Sequence, residues 1–308
     1  MFSKKLLIPL LSLSLLVTPA YSSHAAENAE AAGTSVEGQG MLSPSSSSES
    51  SESVFNGSGA GTSSEPVTDE KLETILKQVQ SQLPAENGTW AVFISDLVNG
   101  TEGSLNDQKM QAASLIKLYI MGAVYENYDQ ITGQYGRDSV DSNLYSMITV
   151  SDNDAANTLT TYLGGGDSAA GMRAVNSFCQ AHGYDQTHMG RMLLASNEND
   201  DNYTSVGDCG HLLQEIYKQD TSSYTHAADM FNLLKAQTRC NKIPAQLPEG
   251  VKTANKTGEL DNVENDAGII YDSKNDVVIV FMSQNLSSAG SAQNTIATLS
   301  RTIYDYYN

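Results

Sequence analysis

The order of the predicted strands and helices strongly limits the folds that are open to this chain. Two strands are predicted early, over 90–96 and 101–105, and Asn99-Gly100 between them is a hairpin signal. Three more strands are predicted near the end, over about 252–257, 266–272 and 276–283. Strands from both ends of a chain with helices between them predict an α+β fold, in which an antiparallel sheet packs against a helical subdomain.

Helices are predicted between these two groups of strands and at both ends of the domain. The first begins at Thr68-Asp69-Glu70, which supply a cap and acidic side chains for the first turn, and Pro84 stops it. A long apolar helix starts near Ser114 and runs through Tyr125. Further helices are predicted over 152–163, 168–182, 205–218, 225–238 and 290–306.

The first 66 residues are predicted to lie outside this domain. Residues 1–25 have the features of a signal peptide, because Lys4-Lys5 precede a short apolar run and small residues follow it. The alternative is an uncleaved anchor, which the shortness of the run disfavours. Residues 26–66 are rich in Ser, Gly and Glu and are predicted to be a disordered linker, either a spacer from an envelope surface or a segment that only aids solubility. Residues 67–308 form the domain, and we expect a secreted or envelope-associated product.

The charge of the chain excludes several classes of partner. It has 36 acidic residues against 17 Lys and Arg, which gives a formal net charge of −19. Such a surface repels the phosphates of nucleic acids and of anionic lipids, so neither is an expected partner. The histidines lack the spacing of zinc ligands, and no metal or other cofactor is expected.

Ser114-Leu115-Ile116-Lys117 is the first pattern that carries chemistry. Residues three apart share one face of a helix, so Lys117 is predicted to lie beside Ser114. A serine hydroxyl becomes a good nucleophile when a neighbour accepts its proton, and a partly buried amine can do this. Any serine and lysine at this spacing would match, so the pattern alone is weak.

Two further short patterns follow in the chain. Ser151-Asp152-Asn153 offers a hydroxyl that can relay a proton and an amide that can pair with a substrate, but these residue types are also preferred helix caps. Lys256-Thr257-Gly258, on a predicted strand, offers a positive charge, a hydroxyl for a carboxylate and room along the strand edge. Taken alone, each is better interpreted as ordinary structure.

The three patterns together, in this order, resemble the motifs of the class A β-lactamase-like family of penicillin-recognising serine hydrolases. The resemblance covers most of residues 67–308, including Lys242-Ile243-Pro244 and Asp266-Ala267-Gly268. It implies an exported serine hydrolase that acts on β-lactam or related amides through an acyl-enzyme. The alternatives are a cell-wall D,D-peptidase and a penicillin-binding or sensing domain without turnover. A monomer is expected.

The resemblance also implies the catalytic residues. Ser114 would be the acylated nucleophile and Lys117 its base. Ser151 would carry the proton to the leaving nitrogen.

Substrate binding is implied in the same way. Asn153 would hold the substrate side chain, and Lys256 and Thr257 would bind the substrate carboxylate. Gly258 would leave room for the substrate along the strand edge. The backbone N–H groups of the nucleophile and of Glu259 would bind the oxyanion. The expected partner is therefore a small β-lactam or a peptidoglycan-type peptide.

The sequence departs from the family pattern in the loop that carries the deacylating base. Arg191 and Asn197 match the ends of this loop, but Leu193 stands where class A enzymes carry the glutamate that activates water. Glu198 is the nearest substitute. Because leucine cannot accept a proton, we expect deacylation to be slow.

Two other departures concern the shape and charge of the cleft. The interval between the first two motifs is shorter than in familiar class A enzymes, which predicts that one wall is missing. Glu259 and Asp261 follow the third motif, and Glu264-Asn265 lie about where the family often has an arginine that binds carboxylate. This added negative charge is expected to weaken the binding of anionic substrates.

The three cysteines leave two alternatives open. Cys179 and Cys209 lie on adjacent predicted helices and can form a disulfide, which leaves Cys240 unpaired or paired with another chain. Three unbridged cysteines are the other prediction.

Overall fold

A five-stranded antiparallel sheet lies at the centre of residues 69–219, 222 and 224–308, the part of the chain that the computed structural model describes. The strand order is β2-β1-β7-β6-β5, so β5 is an edge strand. A second sheet pairs β3 with β4. The strands are β1 (Thr89–Asp96), β2 (Thr101–Leu105), β3 (Met110–Gln111), β4 (Tyr203–Thr204), β5 (Lys252–Leu260), β6 (Val263–Tyr271) and β7 (Val277–Gln284).

Helices cover both faces of the large sheet. They are α1 (Glu70–Gln82), α2 (Ile116–Glu126), α3 (Tyr128–Tyr135), α4 (Arg137–Thr149), α5 (Asn153–Leu163), α6 (Ser168–Ala181), α7 (Val206–Lys218), α8 (Ala227–Lys235) and α9 (Ala289–Tyr307). In the described part of the chain, no helix is both long and apolar enough to cross a membrane.

The alternation of side chains along β1 divides the core into two layers. Ala91 and Phe93 belong to the layer that contains α2 and the other helices of the middle of the chain. Val92 and Ile94 belong to the layer formed with α1 and α9. Successive side chains of a strand point to opposite faces, so a central strand with apolar residues at every position requires a cover on both sides. The predicted α+β fold, with an antiparallel sheet packed against a helical subdomain, is confirmed.

The sequence analysis missed two helices, α3 and α4. α4 contains Asp, Ser and Asn residues that favour turns and caps, and its apolar residues are few. Val140, Leu144, Met147 and Ile148 are nevertheless buried, because their spacing places them on one face of the helix. The helices and strands that the sequence did predict are present with shifted ends, and β5 and β6 extend to the turn at Asp261.

The proposed disulfide is wrong. Cys179 and Cys209 are buried free thiols, and Cys240 is exposed and free. The alternative of three unbridged cysteines agrees with the structure. The predicted signal peptide of residues 1–25 and the linker of residues 26–66 lie outside the described residues.

Candidate active site

A turn of 3-10 helix, Ala113–Leu115, places Ser114 immediately before α2. The sequence analysis predicted that a continuous helix begins there. Ala113 instead has a φ of +47°, a conformation that is rare for a residue with a side chain and is typical of functional sites. Lys117, in the first turn of α2, is fully buried, and its Nζ lies 3.2 Å from the Ser114 Oγ.

The second motif meets the first at the end of α4. Ser151 has a φ of +62°, and Asp152 caps α5 by accepting a hydrogen bond from the N–H of Ala155. This sharp turn brings three acceptors to the Lys117 Nζ: the Ser151 carbonyl oxygen at 2.6 Å, the Ser151 Oγ at 3.1 Å and the Asn153 Oδ1 at 2.7 Å. The second motif therefore serves both as a helix cap, through Asp152, and as part of the site, since Ser151 and Asn153 contact the lysine that lies beside Ser114.

The third motif lies on β5, at the edge of the sheet. The Lys256 Nζ donates to the Ser151 Oγ at 2.9 Å and to the Thr257 carbonyl oxygen at 2.7 Å. A Cβ on Gly258 would lie 2.9 Å from the carbonyl oxygen of Ala112 and 3.2 Å from the amide nitrogen of Ser114. Glycine is therefore required for the strand to approach the serine turn this closely.

Burial changes the chemistry of both lysines. Loss of hydration, which Asp152 opposes and the positive charge of Arg239 assists, lowers the pKa of Lys117 to about 7. Burial also holds the pKa of Lys256 well below its usual range, with further lowering by the charge of Lys117. The two amines share the Ser151 hydroxyl, so a proton on one disfavours a proton on the other.

A cavity of about 290 Å³ opens in front of Ser114. Asn153, Leu193 and Glu259 also line it. Of the residues predicted for the site, the structure thus brings Ser114, Asn153 and Glu259 to one cavity. The remaining five, Lys117, Ser151, Lys256, Thr257 and Gly258, lie directly around it.

The loop that follows α6 closes one side of the cavity. Asn157 of α5 holds the Leu193 backbone at both ends, because its Oδ1 accepts from the Leu193 N–H at 2.8 Å and its Nδ2 donates to the Leu193 carbonyl at 3.0 Å. At the base of the loop, Arg191 pairs with Asp201 at 2.6 Å. Glu198 is exposed on this loop, whereas Leu193 is buried. The structure therefore does not bring Glu198 into the position of a replacement base.

A sequence profile described as the β-lactamase enzyme family matches residues 71–138 and 134–307 of this chain. The chain belongs to the β-lactamase enzyme family. It is a serine hydrolase of the β-lactamase-like type. A search of curated proteins finds no match.

Solved structures of other proteins share the fold. The β-lactamase from Sphaerobacter thermophilus DSM 20745 is 22% identical, with 75% of this chain and 96% of that chain covered and a TM-score of 0.63. PBP-A is 23% identical, with coverage of 76% and 96% and a TM-score of 0.67. An ancestral class A β-lactamase is 20% identical, with coverage of 77% and 99% and a TM-score of 0.63. These likenesses show the class A β-lactamase fold.

Beside the family motifs lies a group of charged residues whose arrangement the sequence did not reveal. Glu259 pairs with Arg239 at 3.0 Å and with the fully buried Lys242 at 3.1 Å. Lys242 also pairs with Glu264 at 2.6 Å. Burial alone would raise the pKa of Glu259, but Lys242 and Arg239 outweigh it and hold that pKa below its usual range. The negative charge expected near the third motif is thus offset by two cations.

Asn265 ties the sheet to the serine turn. Its Nδ2 donates to the carbonyl oxygens of Gln111 at 2.9 Å and Ala112 at 3.2 Å. Its Oδ1 accepts from the N–H of Ser283 on β7. Asn265 therefore supports the segment that precedes Ser114.

Among residues 69–219, 222 and 224–308, no group of His, Cys, Asp or Glu side chains is arranged to hold a metal ion.

Proposed function

We propose that this protein forms an acyl-enzyme through Ser114 with β-lactams or related amides. The observation that carries the proposal is the buried Lys117 amine, 3.2 Å from the Ser114 Oγ, with its pKa lowered to about 7. A pKa near neutrality lets an amine act as a general base at ordinary pH. An unburied lysine would be almost fully protonated and unable to accept the serine proton.

The acylation step follows from these contacts. Neutral Lys117 accepts the proton of Ser114, and the serine Oγ forms a bond to the carbonyl carbon of the amide. As the carbon–nitrogen bond of the amide breaks, the Ser151 hydroxyl gives its proton to the leaving nitrogen and regains one from Lys117, which lies 3.1 Å away. The N–H groups of Ser114 and Glu259 are proposed to bind the oxyanion that forms in between.

A substrate carboxylate would separate the roles of the two lysines. Lys117 and Lys256 are both buried and both contact the Ser151 hydroxyl, so they compete for positive charge. A carboxylate beside Lys256 and Thr257 would favour the proton on Lys256 and leave Lys117 neutral. Binding of an anionic substrate would thereby prepare the base for the reaction.

Deacylation is proposed to be slow. Leu193 is among the loop residues that line the cavity with Ser114, and its side chain cannot activate water. One of the matched structures is a variant of PBP-A described as an acyl-enzyme complex with penicillin G, at 22% identity. Leu193 also favours the second candidate function, a penicillin-binding domain that is acylated with little turnover.

A comparison of two substrates tests the proposal. Purified protein is incubated with a chromogenic β-lactam and, separately, with a D-alanyl peptide, and its intact mass is followed with time. A lasting acyl mass with slow colour change supports the proposed slow hydrolase. Rapid peptide release would identify a D,D-peptidase, and the absence of any acyl mass would refute the proposal.

We further propose that the protein is exported and acts as a monomer in or outside the cell envelope. Residues 1–25 support export, since they have the charge and apolar run of a signal peptide. N-terminal sequencing of the protein recovered from the envelope and medium tests this. An intact Met1 on cytoplasmic protein would contradict it.

A further inference from the structure

We infer that Lys242 is a positioning residue, whose ammonium holds and polarises the Gly258–Glu259 peptide so that the Glu259 N–H can bind the oxyanion. The inference rests on the proposed acyl transfer at Ser114. Its basis is a contact between Lys242 and the backbone of β5: the Lys242 Nζ lies 3.3 Å from the carbonyl oxygen of Gly258. That oxygen belongs to the same peptide unit as the Glu259 N–H.

The geometry of a peptide unit links the two groups. The C=O and N–H of a trans peptide are coplanar and point in opposite directions, and the described residues contain no cis peptide. Fixing the Gly258 carbonyl oxygen towards Lys242 therefore directs the Glu259 N–H away from Lys242. The Gly258 backbone itself lies against the amide of Ser114, which is the other proposed oxyanion donor.

Lys242 is itself held in one place. An ammonium has three N–H donors, and three acceptors surround this one: the Gly258 carbonyl, Glu259 at 3.1 Å and Glu264 at 2.6 Å. Lys242 is fully buried, and Gln293 fixes the other oxygen of Glu264 at 2.8 Å. With every donor used and the side chain fully buried, the ammonium has little freedom to move away from the carbonyl.

A cation at the carbonyl also strengthens the N–H as a donor. A hydrogen bond to one end of a peptide polarises the other end, and charge-assisted bonds in a buried site polarise it most. Oxyanion binding depends on donors that are oriented before the reaction begins. Lys242 therefore acts on the oxyanion through the Gly258–Glu259 peptide and without contact with substrate.

Consecutive residues of β6 support the two proposed halves of the oxyanion site. Glu264 holds Lys242, which contacts the Gly258 carbonyl. Asn265 donates to the Ala112 carbonyl, in the turn that carries Ser114. A small shift of β6 would thus move both donors.

The test compares Lys242→Met with Glu264→Gln in the full chain. Glu264→Gln removes the charge of the buried ion pair but keeps an oxygen that accepts from Lys242, so it separates the effect of the ion pair from the effect of the ammonium on the peptide. Because Lys242→Met leaves a buried carboxylate without its cation, the double variant Lys242→Met/Glu264→Gln is made as well. Circular dichroism and thermal melting verify that each variant is folded.

Two spectroscopic measurements report on the polarisation of the Gly258–Glu259 peptide. Before any reaction, NMR gives the chemical shifts of the Gly258 carbonyl carbon and the Glu259 amide proton. After acylation by a penicillin labelled with ¹³C at its β-lactam carbonyl, infrared spectroscopy gives the stretching frequency of the acyl carbonyl. This frequency falls when donors in the oxyanion site polarise the carbonyl. Stopped-flow mixing gives the acylation rate constant.

Removal of the Lys242 ammonium should move both NMR signals upfield and raise the acyl stretching frequency. Acylation should slow by about tenfold or more in Lys242→Met and in the double variant, since the loss of a whole oxyanion donor costs about 100- to 1,000-fold. Glu264→Gln, which keeps the ammonium and leaves it an acceptor, should give a smaller loss of acylation and a smaller shift of the acyl band than Lys242→Met.

Several results would overturn the inference. Unmoved Gly258 and Glu259 signals in both Lys242 variants would show that the contact has no effect on the peptide. An equal loss of acylation in Glu264→Gln would assign the effect to the ion pair. If wild-type protein is not acylated at all, the proposed function fails, and the NMR signals still decide whether Lys242 polarises the peptide.

Discussion

Replacing Leu193 by glutamate should supply the base that deacylation lacks. Leu193 lines the cavity that contains Ser114 and is only 8% exposed, so a longer polar side chain at this position would extend into the cavity. Asn157 holds the backbone of Leu193 at 2.8 and 3.0 Å, so the new carboxylate would start from a fixed point. A fixed carboxylate near the acyl ester can accept a proton from the attacking water.

The size of the effect follows from the role of the missing group. General-base catalysis contributes about 100- to 10,000-fold to a rate, which corresponds to ~3–5 kcal/mol of barrier. We expect about 100-fold faster deacylation in Leu193→Glu, at the lower end, because the surrounding side chains are arranged around a leucine. The burial lost with the leucine side chain should cost about 1.5–3 kcal/mol of folding stability.

Stopped-flow acylation followed by time-resolved intact mass measures the decay of the acyl-enzyme. Leu193→Gln is the matched control, since its amide has the size of the glutamate side chain and cannot accept a proton. Glu198→Gln should leave the decay unchanged, because Glu198 is exposed on the loop. Equal decay rates in Leu193→Glu and Leu193→Gln, or a decay slowed by Glu198→Gln, would refute this reasoning.

Three further predictions concern the nucleophile and the substrate. The acylation rate constant should rise with pH through about 7, because neutral Lys117 is the base and burial lowers its pKa to about 7; a flat pH profile would contradict this. Lys117→Ala should slow acylation by every amide. Lys256→Ala should slow acylation about 10- to 100-fold, mainly with substrates that carry a carboxylate. Equal losses of acylation rate with and without that carboxylate would refute the two roles. Gly258→Ala should slow acylation, since its Cβ would lie 2.9 Å from the Ala112 carbonyl; Gly290→Ala, with open space around it, is the control for a simple effect of alanine on stability.

The overall fold could be predicted because its signals are local. The strands at each end carry β-branched and aromatic residues bounded by turn signals, and their order already requires a sheet built from both ends. α3 and α4 could not be recognised in the same way, since their polar residues resemble a loop. Only packing against the rest of the helical subdomain shows that Leu144 and Met147 belong to a buried helix face.

The candidate site likewise has one part that the sequence predicts and one part that only the fold shows. Ser114, Lys117 and Ser151 could be found because the three motifs occur in a fixed order along the chain. The contacts of Lys242 with Gly258 and Glu264 could not, because they form only when the segment before β5 packs against the β5–β6 pair, and no local pattern records it. The lowered pKa of Lys117 likewise depends on burial, which the finished fold creates.

Intact mass spectrometry after incubation with a labelled penicillin tests the central claim most directly. Wild-type protein should gain one acyl mass, and Ser114→Ala should gain none. Ser196→Ala, which removes another serine hydroxyl that lines the same cavity, should still gain one. A label that persists in Ser114→Ala would contradict the assignment of Ser114 as the nucleophile.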